Sequence, residues 1–600
     1  MNQPIQILLQ TIRRSLISND EIRLDPLNLP CPYNKRFSQV YITLFQNTHR
    51  SIRWGSKKNT LQESINSILN KLKSQKRFKD FDLSSCYILF EIITKEYPCN
   101  IRNLTTMKMH SPNRFEAGVN GLKYTYEGQT RFFMPTEGYT KSIMSVKQLL
   151  NHLSKQCGIS KKTDKISERV HLMRREDIEY SFIESDAYLA DPNQTYLLER
   201  GYPTPVEFTK EIILDKTLKS INWLVENMNK NGSFLYYYDA YKDTIIDDMH
   251  PNMINPLYNN ILRHSGGTIS LLKGYELTNN PLYLDKAKDS LAFLISTFRN
   301  HQYKNKFACY PFFNKKSKLG GAGIGLVALM QYYILTKNDL FKKEMDGLAR
   351  HILSRIDKDG EMIGYYIHPQ FHNSKALTKV SEEEKKALFS FYYPGEALLG
   401  LALYYQHIEN IDPDLKADIE EKSEKALDFL VDIRPVKYDY MFDSLPADAW
   451  LMQAIEEWVK IDGFKKQSYI DFVFKDTQTM FEHMYTDKNT LTTNKDYIGG
   501  FYYEYGDHVY HDASRCEGIV SAYYLALYLK DEKKANWIMK NMSLSAQGLM
   551  KTFHDKVSTY AHINQEKSIN SFRFKLTRQW MRVDSVQHAS CFFARLYKVL

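Results

Sequence analysis

The chain has 600 residues, is 43% hydrophobic and 25% charged, and carries a net charge of +10 at neutral pH. That length exceeds one ordinary core and predicts two or more globular domains. Lysines alternate with acids, as in KSQKRFKDFD and SEEEKKALF, and no dense basic stripe runs along the sequence, which argues against nucleic-acid binding.

The seven cysteines (Cys31, Cys86, Cys99, Cys157, Cys309, Cys516 and Cys591) are scattered and form no CxxC pair. The spacing argues against a disulfide framework and a cysteine-rich zinc site, and suits a reducing compartment. No window approaches the roughly 18 uninterrupted apolar residues of a membrane span. The opening MNQPIQILLQTIRRSL predicts an amphipathic helix rather than a signal peptide, so the expected location is cytoplasmic, or outside by a non-classical route.

The first 160 residues predict an α+β domain. Gln39 to Phe45 reads as a buried strand, with Ser51 to Gly55 as its partner. Thr60 to Phe78 has helical periodicity, with Leu61, Ile65, Ile68, Leu69 and Leu72 on one face. Cys86 to Ile93 is a second β-rich run. Gly121 to Met134 is a hairpin turning at Glu127-Gly128, and Ser145 to Cys157 is helical. The order of Val40 to Leu44, Thr60 to Phe78, Gly118 to Leu122 and Lys123 to Thr136 resembles the AMMECR-type domain over about residues 5 to 160. Where that family has an LRGCIG-like motif, this chain has His49 to Gly55 without the cysteine, so no thiol chemistry is expected there. The resemblance implies a structural or partner-binding appendage. Residues 161–204 are polar and mixed, and read as a linker packed on a domain surface.

From residue 205 to 600 the dominant signal is helix. Six stretches are apolar nearly all round: Tyr258 to Tyr275, Gly320 to Tyr333, Pro394 to Tyr405, Asp448 to Trp458, Ala513 to Tyr528, and Ser585 to Tyr597. They alternate with amphipathic, charged helices at Glu207 to Lys230, Pro281 to Thr297, Leu340 to Ile356, Leu415 to Asp432, Gln467 to Tyr485, and Glu532 to Met550. Six buried and six outer helices predict an (α/α)6 toroid, since an open solenoid would need polar caps at both ends. The fold expected overall is multidomain: a small α+β domain followed by a mainly α toroid.

In such a ring the N-terminal ends of the inner helices gather at one mouth, where free N–H groups and the helix dipole favour anions. Polar residues recur there: Tyr258, Asn259, Arg263 and His264; Tyr392, Tyr393 and Glu396; Asp448 and Trp450; Tyr503, His511, Arg515 and Glu517; Arg582, Asp584, Gln587 and His588. The second inner helix offers only glycines. SRCEGIVSAYYLA, RVDSVQHASCFFARLY and YNNILRHSGGTISLL resemble helix starts of the six-hairpin glycosidase and epimerase superfamily. That resemblance implies a carbohydrate substrate, with catalysis by Glu517, Asp584, Glu396, Asp448 and His588 and substrate binding by the others. Glycoside hydrolysis needs two carboxylates, one protonated and one ionised; epimerisation needs proton transfer near neutral pH. Asp448 and Asp584 also sit where helix caps belong. His508-x-x-His511-Asp512 has zinc-ligand types but falls in a loop, so neither metal nor cofactor is expected. The alternative is a non-catalytic glycan- or peptide-binding toroid tethered to a partner-binding N-terminal domain.

Overall fold

The computed structural model describes residues 3–18, 20–24, 39–46, 51–106, 114–163, 165–203, 208–247, 259–366, 381–439, 448–490, 492–502 and 509–600. The N-terminal part is an antiparallel sheet of eight strands: β1 (Val40–Phe45), β2 (Ile52–Ser56), β3 (Tyr87–Cys99), β4 (Gly121–Tyr126), β5 (Gln129–Phe133), β6 (Glu179–Ala190), β7 (Thr195–Glu199) and β8 (Tyr202–Pro203). Six of them run β2-β1-β3-β6-β4-β5, and β7 and β8 branch from β6. The alternation of β3 divides its side chains. Ile88, Phe90 and Ile92 face one way, against α1 (Gln3–Ser18) and α2 (Leu61–Lys73). Tyr87 and Leu89 face the other, against Tyr560 from the C-terminal part. The run CYILFEII is apolar but for Glu91 because both faces of this strand are covered. A helix α3 (Val146–Gln156) closes a second core over Leu122, Phe133 and Phe182.

Residues 161–204 correct the expectation of a linker. They supply β6, which pairs with β3, β4 and β7, together with β7 and β8. The polar residues that hide β6 in the sequence have partners in the sheet: Ser185 donates to the buried Glu91 carboxylate at 2.8 Å, and Glu184 accepts from Lys95 at 2.7 Å.

The C-terminal part alternates outer and inner helices. The outer set is α4 (Lys210–Glu226), α6 (Pro281–Ser296), α8 (Lys342–Ser354), α10 (Pro413–Asp428), α12 (Gln467–Glu482) and α14 (Glu532–Met550). The inner set is α5 (Ile261–Thr278), α7 (Leu319–Thr336), α9 (Tyr393–His407), α11 (Ala449–Trp458), α13 (Ala513–Tyr528) and α15 (Val583–Tyr597). Each inner helix packs on the next, and α15 packs back on α5, so the ring closes. Two-residue strands reinforce the closure, Tyr237–Tyr238 pairing with Met581–Arg582. Helix α7 is long and apolar enough to cross a membrane by length and composition, and 72% of it is buried in the ring.

The inner helices are parallel, because their first turns touch one another. Gly323 of α7 lies against Glu396 and Ala397 of α9, and Gly395 of α9 against Trp450 and Leu451 of α11. Gly518 of α13 lies against Ala449 of α11, and Gly266 of α5 against Gln587 of α15. A Cβ on Gly323 would stand 2.5 Å from the Ala397 nitrogen, whereas one on Gly325 would meet nothing closer than Leu294 at 3.5 Å. Gly323→Ala is therefore expected to lower stability by about 1–3 kcal/mol through overpacking. Gly325→Ala is expected to raise it by about 0.5–1 kcal/mol through helix propensity. Denaturant titration of the two variants checks both signs.

Candidate functional site

Each inner helix delivers its polar groups to the mouth through its local sequence. In α9, Pro394 stands in the first turn, where its missing N–H costs nothing, and Glu396 follows in the same turn. In α13, Asp512 caps the helix by accepting from the backbone N–H of Ser514 and Arg515, which places Glu517 one turn further in. In α15, Arg582 precedes the helix, Asp584 occupies its first turn and His588 comes one turn later.

Two charged assemblies result. In the first, the Nδ1 of His588 is hydrogen-bonded to the Glu517 carboxylate. The Gln587 amide lies 3.2 Å from the same ring nitrogen, and the Trp450 ring centroid lies 6.0 Å from the imidazole. Glu517 is the buried member, with 4% of its side chain exposed; His588, at 19%, is the one that meets solvent. Burial disfavours the imidazolium, but the Glu517 carboxylate outweighs it, and the His588 pKa is raised. Burial also raises the Glu517 carboxyl, against the pull of His588. Both shifts favour a proton held between the two groups.

In the second assembly, Arg582 grips Asp584 with two parallel bonds of 2.6 and 2.8 Å. Arg263 of α5 adds a third contact to Asp584 at 2.9 Å and also donates to the Tyr236 hydroxyl. Burial opposes the charge on Asp584, but the two guanidinium groups hold its carboxyl far below the usual carboxylate range. Asp584 is thus a fixed anion that positions two arginines.

Glu396 differs from both. It is 6% exposed, and its Oε2 has no hydrogen-bond partner. The carboxyl lies over Gly320, where any side chain would collide with it. Burial is the largest influence and pushes its pKa up to about 8, even though His588, Lys318 and Arg263 are close enough to pull it down. It is a neutral acid at neutral pH.

The structure therefore gathers Arg263, Glu396, Trp450, Glu517, Arg582, Asp584, Gln587 and His588 at one end of the ring. Several expected residues are engaged in pairing or packing of their own. Asp448 caps α11 through Leu451 N–H and forms a buried ion pair with Arg434 at 2.8 Å, so it is committed to the fold. His264 turns outward: its Nε2 meets the Ser290 carbonyl of α6 at 2.9 Å, and burial lowers its pKa to about 4. His511 is enclosed against Gly500 and Gly548, with its pKa lowered by burial to about 3. Asn259 donates to the Phe234 carbonyl at 3.0 Å. Arg515 lies over the Phe501 ring and 3.6 Å from the Asp512 carboxylate. Tyr393 does stand at the mouth, beside Glu396 over Gly320, and packs on Tyr365, while Tyr392 is exposed against Phe391. Tyr258, Tyr503 and His508 lie outside the described residues.

Lys318 escaped the sequence reading, which saw only glycines at the start of α7. It is the residue at the entrance to that helix, with its ammonium 5.9 Å from the Tyr393 ring centroid. The last lysine of KKSK, just before a Leu-Gly-Gly helix start, was its one sequence signal.

No family model and no curated protein matches the chain. Among solved structures it is similar to a cellobiose 2-epimerase from Bacillus thermoamylovorans, at 13% identity and a TM-score of 0.45, covering 65% of this chain and 100% of that one. A D-mannose isomerase is similar at 10% identity and a TM-score of 0.43, over 65% and 98% of the two chains. An α-mannanase from Bacteroides thetaiotaomicron is similar at 10% identity and a TM-score of 0.42, over 64% and 96%. At this similarity none of them assigns a reaction or a residue to this chain.

The raised Glu396 carboxyl has a measurable consequence for stability. Unfolded, it titrates at its ordinary value; folded, at about 8. Between those values unfolding releases a proton, so this group costs stability progressively as pH rises through the window. Glu396→Gln is expected to flatten the fall in thermal midpoint between pH 5 and pH 8. An unchanged slope would mean that the folded carboxyl is ionised throughout.

Proposed function

We propose that the ring is an acid–base enzyme acting on a carbohydrate, with its pocket at the N-terminal ends of the inner helices and with proton transfer of the epimerase or isomerase type as its chemistry. The observation that carries this reading is the His588–Glu517 pair beside the buried, unpartnered Glu396. His588, partly exposed, acts in its neutral form to withdraw a proton from the carbon next to a sugar carbonyl, and Glu517 stabilises the imidazolium that forms. Glu396, as the neutral acid, donates a hydrogen bond to the oxygen on which negative charge develops. The His588 imidazolium returns the proton: to the face it left it regenerates the substrate, and after the planar ring-opened enediolate has turned over about the bond to its next carbon it gives the epimer. The Arg263–Asp584–Arg582 assembly offers its remaining guanidinium donors to sugar hydroxyls, and Trp450 offers an apolar wall.

The pairing pattern supports proton transfer over hydrolysis. A glycosidase needs an ionised carboxylate free to act as base or nucleophile beside its acid. Asp584 is held by two arginines, Asp448 by Arg434 and a helix cap, and Glu517 by His588. The N-terminal sheet contributes none of these groups, and in this reading it is an AMMECR-type appendage that binds a partner.

The test is incubation with a panel of aldoses and reducing oligosaccharides in D2O, read by NMR for a new epimer and for deuterium at the carbon beside the carbonyl. His588→Asn is expected to lower the rate about 10²–10⁴-fold. Release of new reducing ends without deuterium uptake would assign hydrolysis instead. Tight glycan binding with neither product would assign a binding ring.

A further inference from the structure

A cavity lies where the N-terminal sheet meets the outside of the ring. It has a volume of about 690 Å³, within the range of small-molecule sites. Tyr196, Glu199 and Tyr202 line it from the sheet side, and Leu544, Lys551 and Arg573 from the ring side.

Asp496 lies near both cations of this cavity, Glu199 near Lys551 and Asp555 near Arg573, but none of these acids forms an ion pair with them. Arg573 is 2% exposed and lies flat on Tyr202, its guanidinium carbon 3.4 Å from the ring centroid. One of its nitrogens, Nη2, donates to the Lys551 carbonyl at 2.9 Å; Nε and Nη1 have no partner. The Lys551 ammonium donates only to the Lys495 carbonyl at 3.1 Å. Neither cation has a carboxylate within ion-pair distance among the described residues. A buried guanidinium without an anion is costly, and the penalty falls when a charged acceptor arrives. The Tyr202 hydroxyl beside it is also buried and unpartnered.

The acids that line the cavity are occupied or withdrawn. Asp496 is paired with Arg200 at 2.7 Å, and Asp555 caps a turn through the Ser558 N–H at 2.7 Å. Burial and the nearby Asp496 raise the Glu199 carboxyl against the pull of Lys551, and Asp487 is exposed. The remaining wall is largely apolar, from Phe208, Leu544, Phe553 and Leu576.

We propose that this cavity binds a small organic anion: an apolar body bearing one carboxylate or phosphate head, with the head paired to Arg573 and Lys551 and the body against Phe208, Leu544, Phe553 and Leu576. A ligand seated there touches sheet and ring together, so its binding stabilises the junction between them. This site stands independently of any chemistry at the mouth.

The experiment is isothermal titration of the full chain with octanoate, phenyl phosphate, inorganic phosphate and 1-octanol, with thermal midpoints recorded alongside. Octanoate or phenyl phosphate is expected to bind saturably, one per chain, and to raise the midpoint; which of the two binds tighter identifies the head. Lys551→Met and Arg573→Met are each expected to weaken binding by about tenfold or more, the scale of a charge-assisted contact. Leu544→Trp, which fills the cavity away from the cations, is expected to abolish binding, and it keeps the test decisive if the Arg573 variant does not fold. The proposal is overturned if neither organic anion binds, or if binding survives unchanged in both Lys551→Met and Leu544→Trp. It is overturned equally if 1-octanol binds as well as octanoate, or if inorganic phosphate binds as well as phenyl phosphate.

Discussion

The architecture of the ring depends on how closely the first turns of its inner helices approach one another. Gly323, Gly395, Gly518 and Gly266 let backbone or side chain of the next helix fill the place of a Cβ. Contacts this short between N-terminal turns fix the helices as parallel and bring six helix N-termini to one end. The polar side chains of those turns then occupy a narrow, largely dry rim. Charge cannot stand alone in such a place, and most of the rim residues are accordingly paired across helices: α13 with α15 through Glu517 and His588, and α5 with α15 through Arg263 and Asp584.

These pairings divide the carboxylates into kinds. Asp584 is pinned as an anion by two guanidinium groups and serves geometry. Glu517 shares its proton with a partly exposed histidine and so serves reactivity. Glu396, with a buried and unpartnered oxygen, is pushed to the neutral form by desolvation. Three carboxylates near one mouth thus have three protonation behaviours, and burial and neighbours rather than residue type make the difference. Separation of titration behaviour among neighbouring groups is what acid–base chemistry at neutral pH requires.

Much of the ring could be read directly from the sequence, because burial on all sides and burial on one side leave different apolar patterns along a helix. The twelve helices fall within a few residues of where those patterns place them. Which way a polar residue at a helix start turns is another matter. His264, His511 and His588 share a phase in the sequence, yet His264 faces the outer helix and His511 is walled in by two glycines. Only His588 meets an acid at the mouth, and its partner is 71 residues away in sequence. Such pairings depend on the rotation of each helix about its axis, which packing between helices sets. The same limit hid β6, whose polar positions look like a loop until Glu91 and Lys95 are placed opposite them.

The junction between sheet and ring follows a different logic from the mouth. Its apolar part is aromatic, with Tyr139 in tilted ring contact with both Tyr202 and Tyr560. Tyr560 donates to the Gly201 carbonyl and Tyr87 to the Lys556 carbonyl, each at 3.1 Å. Into this surface the chain sets a largely buried ion pair, Arg200 with Asp496. A buried pair adds little net stability over an apolar substitute, but each partner is costly when left alone. Arg200, on the turn between β7 and β8, also meets Glu116 and the Ala117 carbonyl on the sheet side, but its Nε finds its acid, Asp496, only across the junction. The ion pair therefore specifies the docking geometry, while the aromatic contacts supply its affinity. The neighbouring Arg573 reaches the same surface without an acid of its own, and that asymmetry is why the space beside it behaves as a site rather than as packing.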